Sequence, residues 1–119
     1  CGKVFSKVFA PHWIGNGVFS QCTSLETIEI KENIDRIPDE MFLGCEALKK
    51  VKLHEQISRI GARAFAGCRN LETLYVPDSV TAIGENAFSD VHDKFILMCS
   101  FGSYAESYAR NHKITYQLV

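Results

Sequence analysis

The sequence predicts a repeat solenoid in which each coil contributes one strand to a shared parallel sheet. Three observations predict it. First, apolar residues recur at a single step of 23 residues: Ile14, Ile37, Ile60 and Ile83; Phe19, Phe42, Phe65 and Phe88; Cys22, Cys45 and Cys68, with Val91 in fourth place. Second, each unit holds an alternating segment, Leu25-x-x-Ile28-x-Ile30 in the first, which reads as a half-buried strand. Third, a unit of 23 residues cannot bury its own apolar side, so each column must continue into the next unit.

The elements follow in chain order. Residues 1–13 carry the apolar run Val4, Phe5, Val8 and Phe9; fitting it to the unit needs a deletion, so it reads as an N-terminal edge strand or a broken repeat. Residues 14–99 hold three full repeats and a degraded fourth. Within a unit, Leu25, Leu48 and Leu71 precede the strand, with Lys94 as the exception. The strand columns are Ile28, Val51, Leu74 and Leu97, then Ile30, Leu53, Val76 and Cys99. Ile34-x-x-Ile37 turns the chain back, and Gly15, Gly61 and Gly84 follow the isoleucine where a tight bend is expected, Pro38 replacing them once. Val18-Phe19-x-x-Cys22 then has the spacing of one helical turn. Residues 100–119 leave the pattern as a closing segment, helix then strand: Ser103-x-x-Glu106 is a capping box, Tyr104, Ala105, Tyr108 and Ala109 make an apolar helical face, Asn111 ends it, and Ile114 to Leu118 reads as a last strand.

The unit resembles the BspA-type leucine-rich repeat. The run Ile60-Gly61-Ala62-Arg63-Ala64-Phe65-Ala66-Gly67-Cys68-Arg69-Asn70-Leu71-Glu72-Thr73-Leu74-Tyr75-Val76-Pro77-Asp78-Ser79-Val80-Thr81-Ala82-Ile83-Gly84 is similar to that motif nearly letter for letter. The commoner leucine-rich repeat has an Asn in its turn and another Leu two residues on. Here the turn holds Asn33, Gln56 and Ser79, and the apolar residue follows immediately. The resemblance implies a leucine-rich repeat solenoid of the α/β type: a right-handed coil with one parallel strand per repeat on one face, and turns and short helical turns on the other. It also implies an extracellular or cell-surface location and a role in adhesion or contact with a protein, a host or matrix protein among them.

Composition narrows the function. Lys plus Arg is 13 against 14 for Asp plus Glu, so the basic footprint of a nucleic-acid binder is missing. No apolar run reaches the roughly 20 residues of a membrane-spanning helix. No signal peptide is visible, and Cys1 stands either as a lipid-modified terminus or as the start of a fragment, which the apolar run close behind it favours. Cys22, Cys45 and Cys68 sit one above another with parallel side chains, about 4.8 Å apart and beyond the usual Cβ separation of a bridge, so they and Cys99 read as small buried thiols. His12, His54, His92 and His112 are dispersed, no Cys-x-x-Cys or His-x-x-x-His spacing occurs, and Asp90-Val91-His92-Asp93 reads as a solvated turn, so no metal or cofactor is implied. No Gly-x-Ser-x-Gly elbow, phosphate-cradling loop or carboxylate pair marks an enzyme.

The residues alternating with the strand columns face outward, and these are the candidate site: Thr27 and Glu29 on the first strand, Lys50, Lys52 and His54 on the second, Thr73 and Tyr75 on the third, Ile96 and Met98 on the fourth. Lys31 continues the first row. The surface is mixed at one end, basic in the middle and apolar towards the closing segment. Solenoids bind partners on such faces, and Tyr75, Ile96 and Met98 are of types enriched at interfaces; alternatively the C-terminal helix or tail covers Ile96 and Met98. The cluster Lys49, Lys50 and Lys52 is a solvated patch or an anion or glycan site. The expected partner is thus a protein or a glycan, with a structural spacer or terminal array within a longer multidomain surface protein as the second reading.

Overall fold

A computed structural model describes residues 6–9, 15–31 and 34–119; the expectations resting on Cys1, Val4, Phe5, His12, Ile14 and Asn33, and on the side chains of Val8 and Phe9, lie outside the described residues. The elements run β1 (Ser6–Phe9), β2 (Thr27–Ile30), β3 (Arg36–Ile37), β4 (Lys50–Lys52), β5 (Arg59–Ile60), β6 (Thr73–Tyr75), β7 (Ala82–Ile83), β8 (Ile96–Cys99), α1 (Tyr104–Asn111) and β9 (Tyr116–Leu118). All strand pairs are parallel, as the coils of a solenoid require. Thr27 faces Lys50 and Thr73 faces Ile96, one full repeat apart, whereas Ser6 faces Thr27 across a shorter step.

Each middle coil gives two strands. The longer ones form one face, in two groups ordered β1-β2-β4 and β6-β8-β9. The two-residue strands β3, β5 and β7 form a second sheet. The sequence treats this stretch only as a return turn, because two residues are too few to show alternation.

The turn side between Gly17 and Leu25, and its equivalents one and two repeats on, is held by two kinds of hydrogen bond. Some N–H groups close the turn within the coil, such as Cys22 to Phe19 O and Cys45 to Phe42 O. Others reach the next coil: Phe19 N–H donates to Met41 O at 3.0 Å, Phe42 to Ala64 O at 2.8 Å and Phe65 to Ala87 O at 2.8 Å. This pattern needs left-handed backbone at two positions per coil, filled by Gly17, Glu40, Arg63 and Asn86, and by Gln21, Gly44, Gly67 and Asp90. Gly61 and Gly84 serve a different purpose from the bend expected of them. Neither has positive φ; a Cβ on Gly61 would overlap the backbone nitrogen of Asp39, and one on Gly84 that of Ala62. They are glycines because adjacent coils touch there.

Inside, the phenylalanines stack face to face. Ring centroids are 6.0 Å apart for Phe19–Phe42, 5.3 Å for Phe42–Phe65 and 5.6 Å for Phe65–Phe88, with Phe95 continuing the stack at 5.3 Å. The cysteine column lies beside them. Cys45 Sγ donates to Phe19 O at 3.0 Å and Cys68 Sγ to Phe42 O at 3.2 Å. Burial pushes the Cys45 thiol up to about 11 and raises Cys68 and Cys99 as well. Cys45, Cys68 and Cys99 are free thiols, but Cys22 is disulfide-bonded, which corrects the reading of it as a thiol. The column argument excludes bridges between adjacent members and places no constraint on the cysteine at its end.

The C-terminal helix lies over the last coil. Ser103 Oγ accepts from Glu106 N–H at 3.2 Å, while the Glu106 carboxylate accepts from Gly102 N–H at 2.7 Å and pairs with Arg110 at 3.1 Å. Lys113, in the left-handed region, ends the helix, with Ile114 N–H returning to Ala109 O. Tyr108 meets Phe88 edge-on at 6.3 Å, and Ala105 and Ala109 are buried.

Candidate binding surface

The strand face is built by alternation. In β2 and β8, Ile28, Ile30, Leu97 and Cys99 point inward, so Thr27, Glu29, Ile96 and Met98 are left half-exposed. The same rule exposes Lys50 and Lys52 on β4, and Thr73 and Tyr75 on β6. Seven of the nine outward residues, Thr27, Glu29, Lys50, Lys52, Thr73, Tyr75 and Met98, line one groove of about 750 Å³. Ile96 stands half-buried on β8, outside that lining. His54 also stands outside that lining. Its Nε2 lies 2.7 Å from Ile34 O and its Nδ1 accepts from Gln56 N–H at 3.1 Å, tying the coil to the one before.

The groove also reaches residues that the columns assign to the core, Ile28, Val51, Leu53 and Leu74, but only Val51 among them is not buried. Val51 is reachable because β4 and β6 are not hydrogen-bonded neighbours. At the β6/β8 boundary, Ile96 N–H donates to Glu72 O at 2.8 Å and Val76 N–H to Met98 O at 2.9 Å. The equivalent donors one coil earlier, Thr73 and Leu53, make no such bonds among the described residues. Val51 is correspondingly half-exposed, while Ile28, Leu74 and Leu97 in the same column are at most 3% exposed. The signal available in the sequence is that Val51 is the smallest member of its column.

Charge is arranged around this apolar floor. Glu29 pairs with Lys31 at 3.3 Å and lies 3.9 Å from Lys52; Lys49 lies 3.9 Å from Glu26. The Lys50 side chain has no ion-pair or hydrogen-bond partner among the described residues. The Tyr75 hydroxyl donates to Glu55 at 3.3 Å, and its pKa is raised first by desolvation and then by the Glu55 charge. Among the described residues no group of His, Cys, Asp and Glu could hold a metal ion, and no helix is long and apolar enough to cross a membrane.

The chain matches the BspA type leucine rich repeat region, in 6 copies, over residues 11–109. No curated protein matches it. Among solved structures it is similar to a leucine rich cell surface protein from Faecalibacterium prausnitzii A2-165, with 33% identity and a TM-score of 0.65 over 70% of this chain and 22% of that one. A leucine-rich repeat protein from Bacteroides ovatus gives 22% identity and a TM-score of 0.66, over 100% of this chain and 37% of the other. The leucine rich repeat protein of T. pallidum gives 22% and 0.60, over 82% and 59%. The last two likenesses are of fold alone, and the chain spans less than two thirds of each of these proteins. Since the family's repeats cover most of the chain and its coils stack as a parallel solenoid, the chain belongs to the BspA-type leucine-rich repeat family.

Proposed function

We propose that this chain is a non-catalytic protein-binding module of a secreted or surface-exposed protein, and that its strand face is the contact surface. The observation that carries the reading is the groove: an apolar floor with a charged and aromatic rim, on the side of the solenoid where the outward residues align. The likeness to a cell surface protein supports the location. A second reading, a spacer within a longer surface protein, is favoured by the fraction of its neighbours that the chain spans.

The test is a binding screen of the biotinylated chain against purified matrix proteins and glycans. A protein found this way loses at least about tenfold in affinity when Lys52→Glu is combined with Tyr75→Ala, since buried aromatic anchors dominate interfaces. The same protein binds normally to Arg59→Glu, which alters the exposed face of the second sheet, away from the groove. Affinity unchanged in the double variant would show that the strand face is wrongly assigned.

A further inference from the structure

The opening between β4 and β6 is local. Directly across the coil, the same pair of coils is closed by Glu40 N–H to Ala62 O at 2.9 Å, Phe42 to Ala64 O at 2.8 Å and Gly44 to Ala66 O at 2.8 Å, together with the β3–β5 pair. The gap thus exists on the strand side only, where it leaves Val51 half-exposed.

We propose that this gap receives an extended, acidic segment of a partner polypeptide, with an aliphatic or aromatic side chain seated on Val51 and Leu53 and flanking carboxylates on Lys50 and Lys52. The proposal rests on the strand face being the contact surface. Three features of the gap select this occupant. The floor is apolar, and half-exposed Val51 gains from covering. The rim has the Lys50 ammonium, without a partner among the described residues, and Lys52 sharing Glu29 with Lys31, so positive charge is in excess. The groove crosses β2, β4, β6 and β8, a path that an extended chain laid over the face follows.

The probe is the blocked hexapeptide Asp-Glu-Leu-Phe-Glu-Asp, titrated into the isotope-labelled full chain and followed by amide chemical shifts. Two comparison peptides replace its acids by lysine or its Leu-Phe by Ser-Ser. The expected result is saturable shifts at Val51, Leu53 and Thr73, with each comparison peptide weaker by at least about tenfold. Val51→Trp, which plugs the gap, and Lys50→Glu with Lys52→Glu each weaken the acidic probe by at least about tenfold, and the charge reversal favours the lysine peptide. Val51→Ile, a smaller filling, serves if the tryptophan variant fails to fold, and weakens the probe in the same direction. Equal affinity for the three peptides, or no binding, overturns the proposal. Shifts at Thr27, Tyr75 and Met98 without Val51 and Leu53 overturn the gap as the site and leave the strand face standing. Shifts confined to the turn side overturn both.

Discussion

The second and third coils meet in two ways. On the turn side Phe42 and Phe65 stack at 5.3 Å and backbone N–H groups cross the boundary in a regular series. On the strand side β4 and β6 do not pair, and Val51 is left half-exposed. The difference shows which side holds the stack. Aromatic rings and a continuous backbone ladder join the coils on the turn side, so the strand side can give up part of its pairing without separating them. The strand side is then left open at modest structural cost.

The largest expected effect tests the turn side. Phe65→Ala removes a fully buried ring from the middle of the stack and costs roughly 3–5 kcal/mol in chemical denaturation. A loss below about 1 kcal/mol would mean that the aromatic column does not hold the coils together. The strand side is tested by truncating two members of one column. Leu74→Ala, on a strand paired with β8, costs about 2–4 kcal/mol, whereas Val51→Ala, at the gap, costs about 1 kcal/mol. Equal losses would erase the contrast. Gly61→Ala tests the coil contact directly after β5 and forces the Asp39 backbone away, at a cost of roughly 1–3 kcal/mol. Should it unfold no more easily than wild type, the coils are not in contact at that point.

The columns made the stacked coils and most of the core legible, because a residue in a repeating apolar position has nowhere to go but inward. The same period put Thr27, Glu29, Lys50, Lys52, Thr73, Tyr75 and Met98 on one face, where the groove gathers them. Other features leave no such trace. The second sheet has strands of two residues, too short for a period. Left-handed backbone at Glu40, Arg63 and Asn86 is hidden because the residues there are not glycine, although Gly17 occupies the same place one coil earlier. The gap depends on the separation of two backbones, and its only mark in the sequence is one valine among larger side chains. His54 lies in the outward row, yet its ring is taken up by a carbonyl of the preceding coil, a contact that alternation alone does not reveal.

The smallest effect expected concerns the thiols beside the aromatic stack. Cys45 bridges two coils on the closed side through its bond to Phe19 O, and burial lifts its pKa from 9.0 to about 11. The unfolded chain ionises this thiol first, so its contribution to stability is fully present below pH 9.0 and is lost as pH rises towards about 11. At pH 10 the loss is about 1 kcal/mol, by linkage across that shift. Cys68 and Cys99, shifted in the same direction, add to it. The useful measurement is the difference between wild type and Cys45→Ala in denaturation free energy from pH 8 to 10.5, which isolates this thiol. That difference should shrink with rising pH, because only the wild type has this thiol to ionise on unfolding. A flat difference would place Cys45 in contact with water and show the closed side to be less tightly sealed than the stacked rings and crossing hydrogen bonds describe.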